Sequence, residues 1–151
     1  MITEILITIT IASIALFALN TLMVVSLDFV VQTLHTTQAT ILAQEGIEAV
    51  RILRNASWSN NIATLSPGAT YYPSFSGATW TLQASSPGLI NNIFTRSLIA
   101  ENVLRDLNND IAASGTPDPN TKKISLTMTW QEHGQAKTIV VMTYITNILG
   151  N

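Results

Sequence analysis

Residues 5–27 read ILITITIASIALFALNTLMVVSL, 23 residues without a charge, a Pro or a Gly. At about 1.5 Å per helical residue the run is roughly 35 Å long, enough to span a bilayer core of about 30 Å. A formal charge stands at each end, Glu4 before the run and Asp28 after it. A carboxylate beside a spanning segment needs a partner or water, which makes Glu4 a functional candidate. Where Met1 is the N-terminus, the nearest cation is its own amine. The alternative partner is the same amine on a neighbouring copy.

The helical signal continues past membrane length. From Asp28 to Asn55 there is no Pro, and Gly46 is the only Gly. Leu34, Ile41, Leu42, Ala49, Val50 and Leu53 recur at helical spacing, with Gln32, Gln38, Gln44, Glu45, Glu48 and Arg51 between them. Glu48 and Arg51 are placed to meet at i,i+3, and Arg51 and Arg54 suit the negative end of a helix dipole. One helix is therefore expected from about residue 2 to about residue 55, apolar all round in 1–27 and amphipathic in 28–55. At about 1.5 Å per residue it would be roughly 80 Å long. The remaining residues are too few to cover that length, so lipid or other chains must bury the first half.

The chain is short enough for one domain plus an anchor. Only 11% of its residues are charged and the net charge is -2, which argues against a nucleic-acid binder or a polybasic membrane-surface binder. Cysteine is absent, so disulfides, thiolate metal sites and Cys nucleophiles are excluded. A secretory signal would carry basic residues before its apolar core, yet the first Lys or Arg is Arg51. The front is read as a retained anchor, or as a mature end whose basic leader was cut away.

Residues 56–77 are rich in Ser, Asn, Pro and Gly and read as a connecting surface loop. Strand signals fill 78–151. Ala78–Ala84 alternates, with Trp80 and Leu82 on one face, and Phe94–Leu104 is a second candidate. Ile124, Leu126, Met128 and Trp130 alternate with Ser125, Thr127 and Thr129. Lys137–Ile148 is rich in β-branched residues, and Glu132-His133-Gly134-Gln135 joins it to the preceding strand as a hairpin. The fold class is α+β: a long N-terminal helix whose amphipathic half covers a C-terminal antiparallel sheet of about four strands.

This pattern resembles the type IV pilins and pseudopilins. Glu4 followed by ILITITIASIALFAL, and the continuation ILAQEGIEAVRILRNASW, carry the resemblance. That continuation, with RSLIAENVLRDLNNDI and DPNTKKISLTMTW, is also similar to pilin-like proteins of ultrasmall, host-dependent bacteria. The N-terminal match covers about a third of the chain. The resemblance implies a basic leader removed by a prepilin peptidase, N-methylation of the new first residue, here Met1, and storage in the cytoplasmic membrane. An assembly platform would then extract subunits into an extracellular homopolymer used for adhesion, twitching motility or attachment to a host-cell surface. Ile5, Leu6, Ile9, Leu16, Phe17 and Leu19 would pack the helical core, and Glu4 would pair with a neighbour's Met1 amine.

The chain departs from the family in three ways. The family's carboxylate usually stands fifth after a leading Phe; here it is fourth after Met, a rotation of about 100° on a helix. The apolar half lacks the Gly or Pro at which many pilin helices loosen, and Asn20, Thr21 and Ser26 are its weakest helix formers. Loosening near 20–26 and a continuous helix both remain open. The disulfide that holds the C-terminal end of many pilins is also missing.

Three further features are candidates. Asp106, Asn108 and Asp110 space oxygen ligands like the opening of a Ca²⁺ loop, and Asp118 supplies a late carboxylate. Ile111 and Pro117 stand where such a loop has Gly and Glu, and the other reading is a polar turn. Asn55-Ala56-Ser57 fits a glycosylation acceptor. Tyr71, Tyr72, Phe75 and Trp80 are read as sealing the loop onto the sheet, or as an adhesive surface. His35 and His133 lie in different elements, and no constellation of base, acid and nucleophile is evident around either, so no enzyme is expected. The function expected is a pilus subunit. The alternatives are a pseudopilin of a secretion or DNA-uptake machine and an anchored domain that does not polymerise.

Overall fold

The computed structural model describes residues 1–151. Its elements are α1 (Ile2–Ala56), α2 (Trp58–Asn61), β1 (Thr70–Ser76), β2 (Thr79–Gln83), β3 (Thr95–Arg105), β4 (Ile111–Ala112), β5 (Thr116–Glu132) and β6 (Gln135–Thr146). They form two compact units, Met1–Gln38 and Ala39–Asn151, and α1 contributes to both.

The first unit is helix alone. It holds no buried residue, and its apolar stretch is long and apolar enough to cross a membrane. The helix is continuous through Asn20–Ser26 in the single chain. Hydroxyls along it fold back on the helix's own carbonyls. Thr8 Oγ1 donates to Glu4 O at 2.8 Å, Ser13 Oγ to Ile9 O at 2.7 Å and Thr21 Oγ1 to Phe17 O at 3.0 Å. Back-bonding of this kind satisfies a polar side chain where no water is available.

In the second unit the later part of α1 lies on an antiparallel sheet. Ala39, Ala43, Ile47, Val50 and Leu53 are buried against Leu98, Ala100, Ile124, Leu126 and Met128. The small residues at 39, 43 and 46 let the helix approach closely. The sheet order is β2-β1-β3-β5-β6, with β4 paired to β3, giving six strands where about four were expected. The alternation read at Ile124–Trp130 holds: all four apolar residues are buried. Leu34 and Ile41, assigned by spacing to the apolar stripe, are exposed instead; the buried stripe is centred on Ala43 and Val50.

Residues 56–77 are not simply a surface loop. Ser57 caps α2, and its hydroxyl accepts from Asn60 N–H. β1 then pairs with β3 at Thr70 and Tyr71, and with β2 from Tyr72 to Ser76. Pro73, which argues against a central strand, falls where β1 has already left β3. Its carbonyl accepts instead from Arg96 Nη2 at 3.4 Å. Residues 105–121 also contain paired backbone, because β4 and the first part of β5 pair with β3. The β5–β6 hairpin turns at His133 and Gly134, both at positive φ as a two-residue hairpin turn requires.

Candidate functional site

The residues singled out for assembly all lie in the first unit. The Met1 amine sits 3.2 Å from Glu4 Oε2, one turn along the same helix, and both groups are exposed. The carboxylate also faces the positive end of the helix dipole. In water such an exposed pair adds little to stability. Ile5, Leu6, Ile9, Leu16, Phe17 and Leu19 are each more than half exposed, Phe17 the most at 76%. Exposed apolar side chains continue from there through Val31. A contiguous apolar surface of that extent marks contact with a membrane or with other protein.

The four residues proposed for calcium do not form a ligand cage. Asp106 Oδ1 accepts from the backbone N–H of Asn108 at 2.9 Å and of Asp110 at 3.0 Å, closing a polar turn. Asn109 adopts a left-handed φ of 66° within it. Asp118 lies in β5 and its Oδ2 accepts from Arg105 Nε at 2.7 Å. Arg105 Nη1 also donates to Asn109 O at 2.9 Å, tying the turn to the strand. No group of three or more His, Cys, Asp or Glu is placed to hold a metal. Burial pushes the Asp118 carboxyl up, but hydrogen bonds from Arg105, Thr121 and the Asn120 N–H, with the Arg105 charge, outweigh it and hold the carboxyl below its usual range.

The aromatics divide. Tyr71 packs on the core, and its hydroxyl accepts from Ser66 N–H at 3.0 Å. Trp80 packs on the core and Tyr72 is half-buried, whereas Phe75 is 60% exposed with its ring 5.2 Å from that of Trp80. Asn55 is exposed near the end of α1, and its amide oxygen accepts from Arg54 Nε. His35 lies in α1 and His133 in the hairpin turn, in separate elements.

One polar centre escaped sequence reasoning. Arg96 on β3 has a buried guanidinium that donates through Nη1 to Leu42 O at 3.1 Å and to Glu45 Oε2 at 3.2 Å. It also lies 5.1 Å from the Trp80 ring centroid. Arg96 thereby ties α1, β1 and β2 to β3. A charge in register with the buried Phe94, Leu98 and Ala100 was the available signal. Near the C-terminus, Asn151 Oδ1 accepts from Trp58 N–H at 3.3 Å, its Nδ2 donates to Asn55 O at 3.0 Å, and its backbone oxygen accepts from Ser59 N–H at 3.2 Å. These bonds hold a C-terminal end that has no disulfide.

Comparison with protein-family models, with curated proteins and with solved structures finds no match to this chain.

Proposed function

We propose that the chain is a structural subunit of a helical filament of the type IV pilin class. One observation carries the reading. The most apolar stretch of α1 has a mean hydropathy of 2.2 and none of it is buried, yet it belongs to the same helix element that packs beneath the sheet. A simple anchor usually carries a breaker between span and domain; here there is none. Such a surface needs cover, which lipid supplies before assembly and the helices of identical subunits supply afterwards.

Exchanging lipid for helix contacts takes little apolar area out of water. Specificity must then come from side-chain packing and from charge. A carboxylate drawn into an apolar filament core is costly unless neutralised. The Met1 amine of an adjacent copy neutralises Glu4 and fixes the stagger between subunits. Because the two groups lie at different positions, the contact is head to tail and generates an open filament instead of a closed ring.

The experiment is electron microscopy of fibres sheared from producing cells, with mass spectrometry of the subunit's N-terminus. Fibres built of this chain, starting at a methylated Met1, are expected. A chain that remains in the membrane fraction, unmethylated and without fibres, leaves an anchored domain and removes the assembly role of Glu4.

A further inference from the structure

The sheet of the second unit ends in two open edges. β6 is the last strand of the order β2-β1-β3-β5-β6 and pairs with β5 alone. That pairing runs from Thr121↔Thr146 to Glu132↔Gln135 without a register shift. Twelve residues long, β6 holds no Pro, no Gly and a single charge, Lys137 near its start. Natural edge strands are normally blunted by charges, bulges, proline or short length; beyond Lys137, β6 has none of these. Val140, Met142 and Tyr144 alternate along its outer face, each at least half exposed. On the inner face a groove of about 260 Å³ opens between β6 and α1, over Ile47 and Val141.

The opposite edge is β2, TWTLQ, unpaired on its far side and without charge. Every pairing along the path is antiparallel, so β2 and β6 run in the same direction. Thr79, Thr81 and Gln83 face outward, while Trp80 and Leu82 face the core.

We propose that the free edge of β6 receives the β2 edge of a second copy of this chain, joining successive sheets head to tail through a short parallel ladder. The inference rests on the filament reading for its repeating geometry. Two β6 edges paired with each other would set their α1 helices in opposite directions and close the assembly. Joining unlike edges keeps every copy in one orientation and propagates without limit. Neither edge places like charges opposite each other. In the joint, the Thr79–Thr81 face continues the Val140–Met142 row with β-branched neighbours. The inner face of the incoming strand then lies beside the groove over Ile47 and Val141.

Because the chain has no cysteine, engineered pairs report the joint cleanly. Thr81→Cys is combined in turn with Val140→Cys, Met142→Cys and Tyr144→Cys, all at exposed positions, and sheared fibres or membranes are mildly oxidised. Neighbouring strands bring Cα atoms within about 4.4–6.8 Å, as a disulfide requires. At least one double variant is expected to give a ladder of covalent multimers, and the single variants none. Dimers from a single β6 cysteine would mean like-edge pairing and overturn the proposal. Intact fibres without a ladder would overturn the edge joint and leave the filament reading standing. A ladder in membranes without fibres would keep the joint and remove the filament reading, and absence of both would overturn both.

Discussion

Gly46 of α1 lies so close to Leu126 of β5 that a Cβ on residue 46 would overlap the Leu126 side chain, and it would stand 2.9 Å from Arg96 Cδ. The glycine is there for approach, not for turn geometry, since it sits inside a helix. Glycine in a helix interior costs roughly 0.5–1 kcal/mol relative to alanine, and here that cost is offset by the contact it permits.

Gly46→Ala is therefore expected to destabilise the second unit despite its better helix propensity. Overpacking a core by one methyl costs typically about 1–3 kcal/mol, which exceeds the propensity gain. Trp58, Trp80 and Trp130 all lie in Ala39–Asn151, so tryptophan fluorescence during denaturant unfolding in detergent reads this unit alone. A variant as stable as the parent would mean that the helix can lift from β5 at no cost.

Arg96 makes a second prediction. Arg96→Met removes the bonds to Leu42 O, Glu45 and Pro73 O together with the contact to Trp80, and leaves two backbone carbonyls without that donor. A loss of about 2–4 kcal/mol follows from bonds to a charged donor and a buried cation–π contact. Arg96→Lys should not restore it, because one ammonium cannot span the separate acceptors that the guanidinium fork reaches. Unfolding midpoints of the two variants, with Trp80 emission as a local reporter, check both statements. Full rescue by lysine would show that only the charge matters.

Much of this architecture was legible because single residues fixed the period. The uncharged run at 5–27 and the alternation Ile124-Leu126-Met128-Trp130 each admit one element type. β1 was not legible: Pro73 and the preceding Ser66-Pro67-Gly68 speak for a loop, and only the departure of β1 from β3 accommodates the proline. β4 is two residues long and carries no period. The Arg96 centre was hidden because its acceptors are largely backbone carbonyls, 54 and 23 residues away in sequence. The acidic spacing at Asp106–Asp110 was visible, but spacing does not distinguish a ligand loop from a turn. The structure gives Asp106 Oδ1 to two backbone N–H groups. Glu4 was legible as a stranded carboxylate; a neighbouring amine lies beyond what one chain contains.

Asp118 supplies a pH dependence. Its folded-state carboxyl is held below the ordinary value of about 3.9, so the Arg105–Asp118 contribution is present above that unfolded value. It is lost as pH falls through the folded one. Asp118→Asn is expected to cost about 1–2 kcal/mol at neutral pH, the scale of a bond to a charged group at a partly exposed site. The difference from the parent should narrow as the pH drops below about 4. Denaturant midpoints of both proteins across that range measure it. A gap that persists in strong acid would show that shape, not charge, sets the contribution.

The Asn151 bonds predict a local effect. Asn151→Ala keeps the backbone oxygen that accepts from Ser59 but removes the amide from Trp58 N–H and Asn55 O. Each bond contributes about 0.5–1.5 kcal/mol, so protection at the Trp58 amide should fall about tenfold, the factor that corresponds to about 1.4 kcal/mol. Protection at core amides such as Leu126 should stay unchanged. Amide hydrogen exchange followed residue by residue separates the two. Uniform loss across the sheet would mean that the C-terminal residues hold the whole unit together.

Glu4 carries the prediction closest to function. Glu4→Gln preserves size and hydrogen-bonding reach but removes the charge that the proposed function assigns to pairing with a neighbouring amine. On that proposal membrane insertion rests on the 5–27 run and should not change, since glutamine beside the span is no harder to place than glutamate. Fibre yield should fall at least about tenfold, because a loss of about 1.4 kcal/mol per subunit contact already shifts the equilibrium that far. The two pools, membrane-held and sheared, are quantified from the same cells, so a defect in expression lowers both and a defect in assembly lowers only the second. Fibres of Glu4→Gln as abundant as those of the parent would show that packing along α1 sets the stagger without the carboxylate, and the role assigned to the Met1 amine would fall with it.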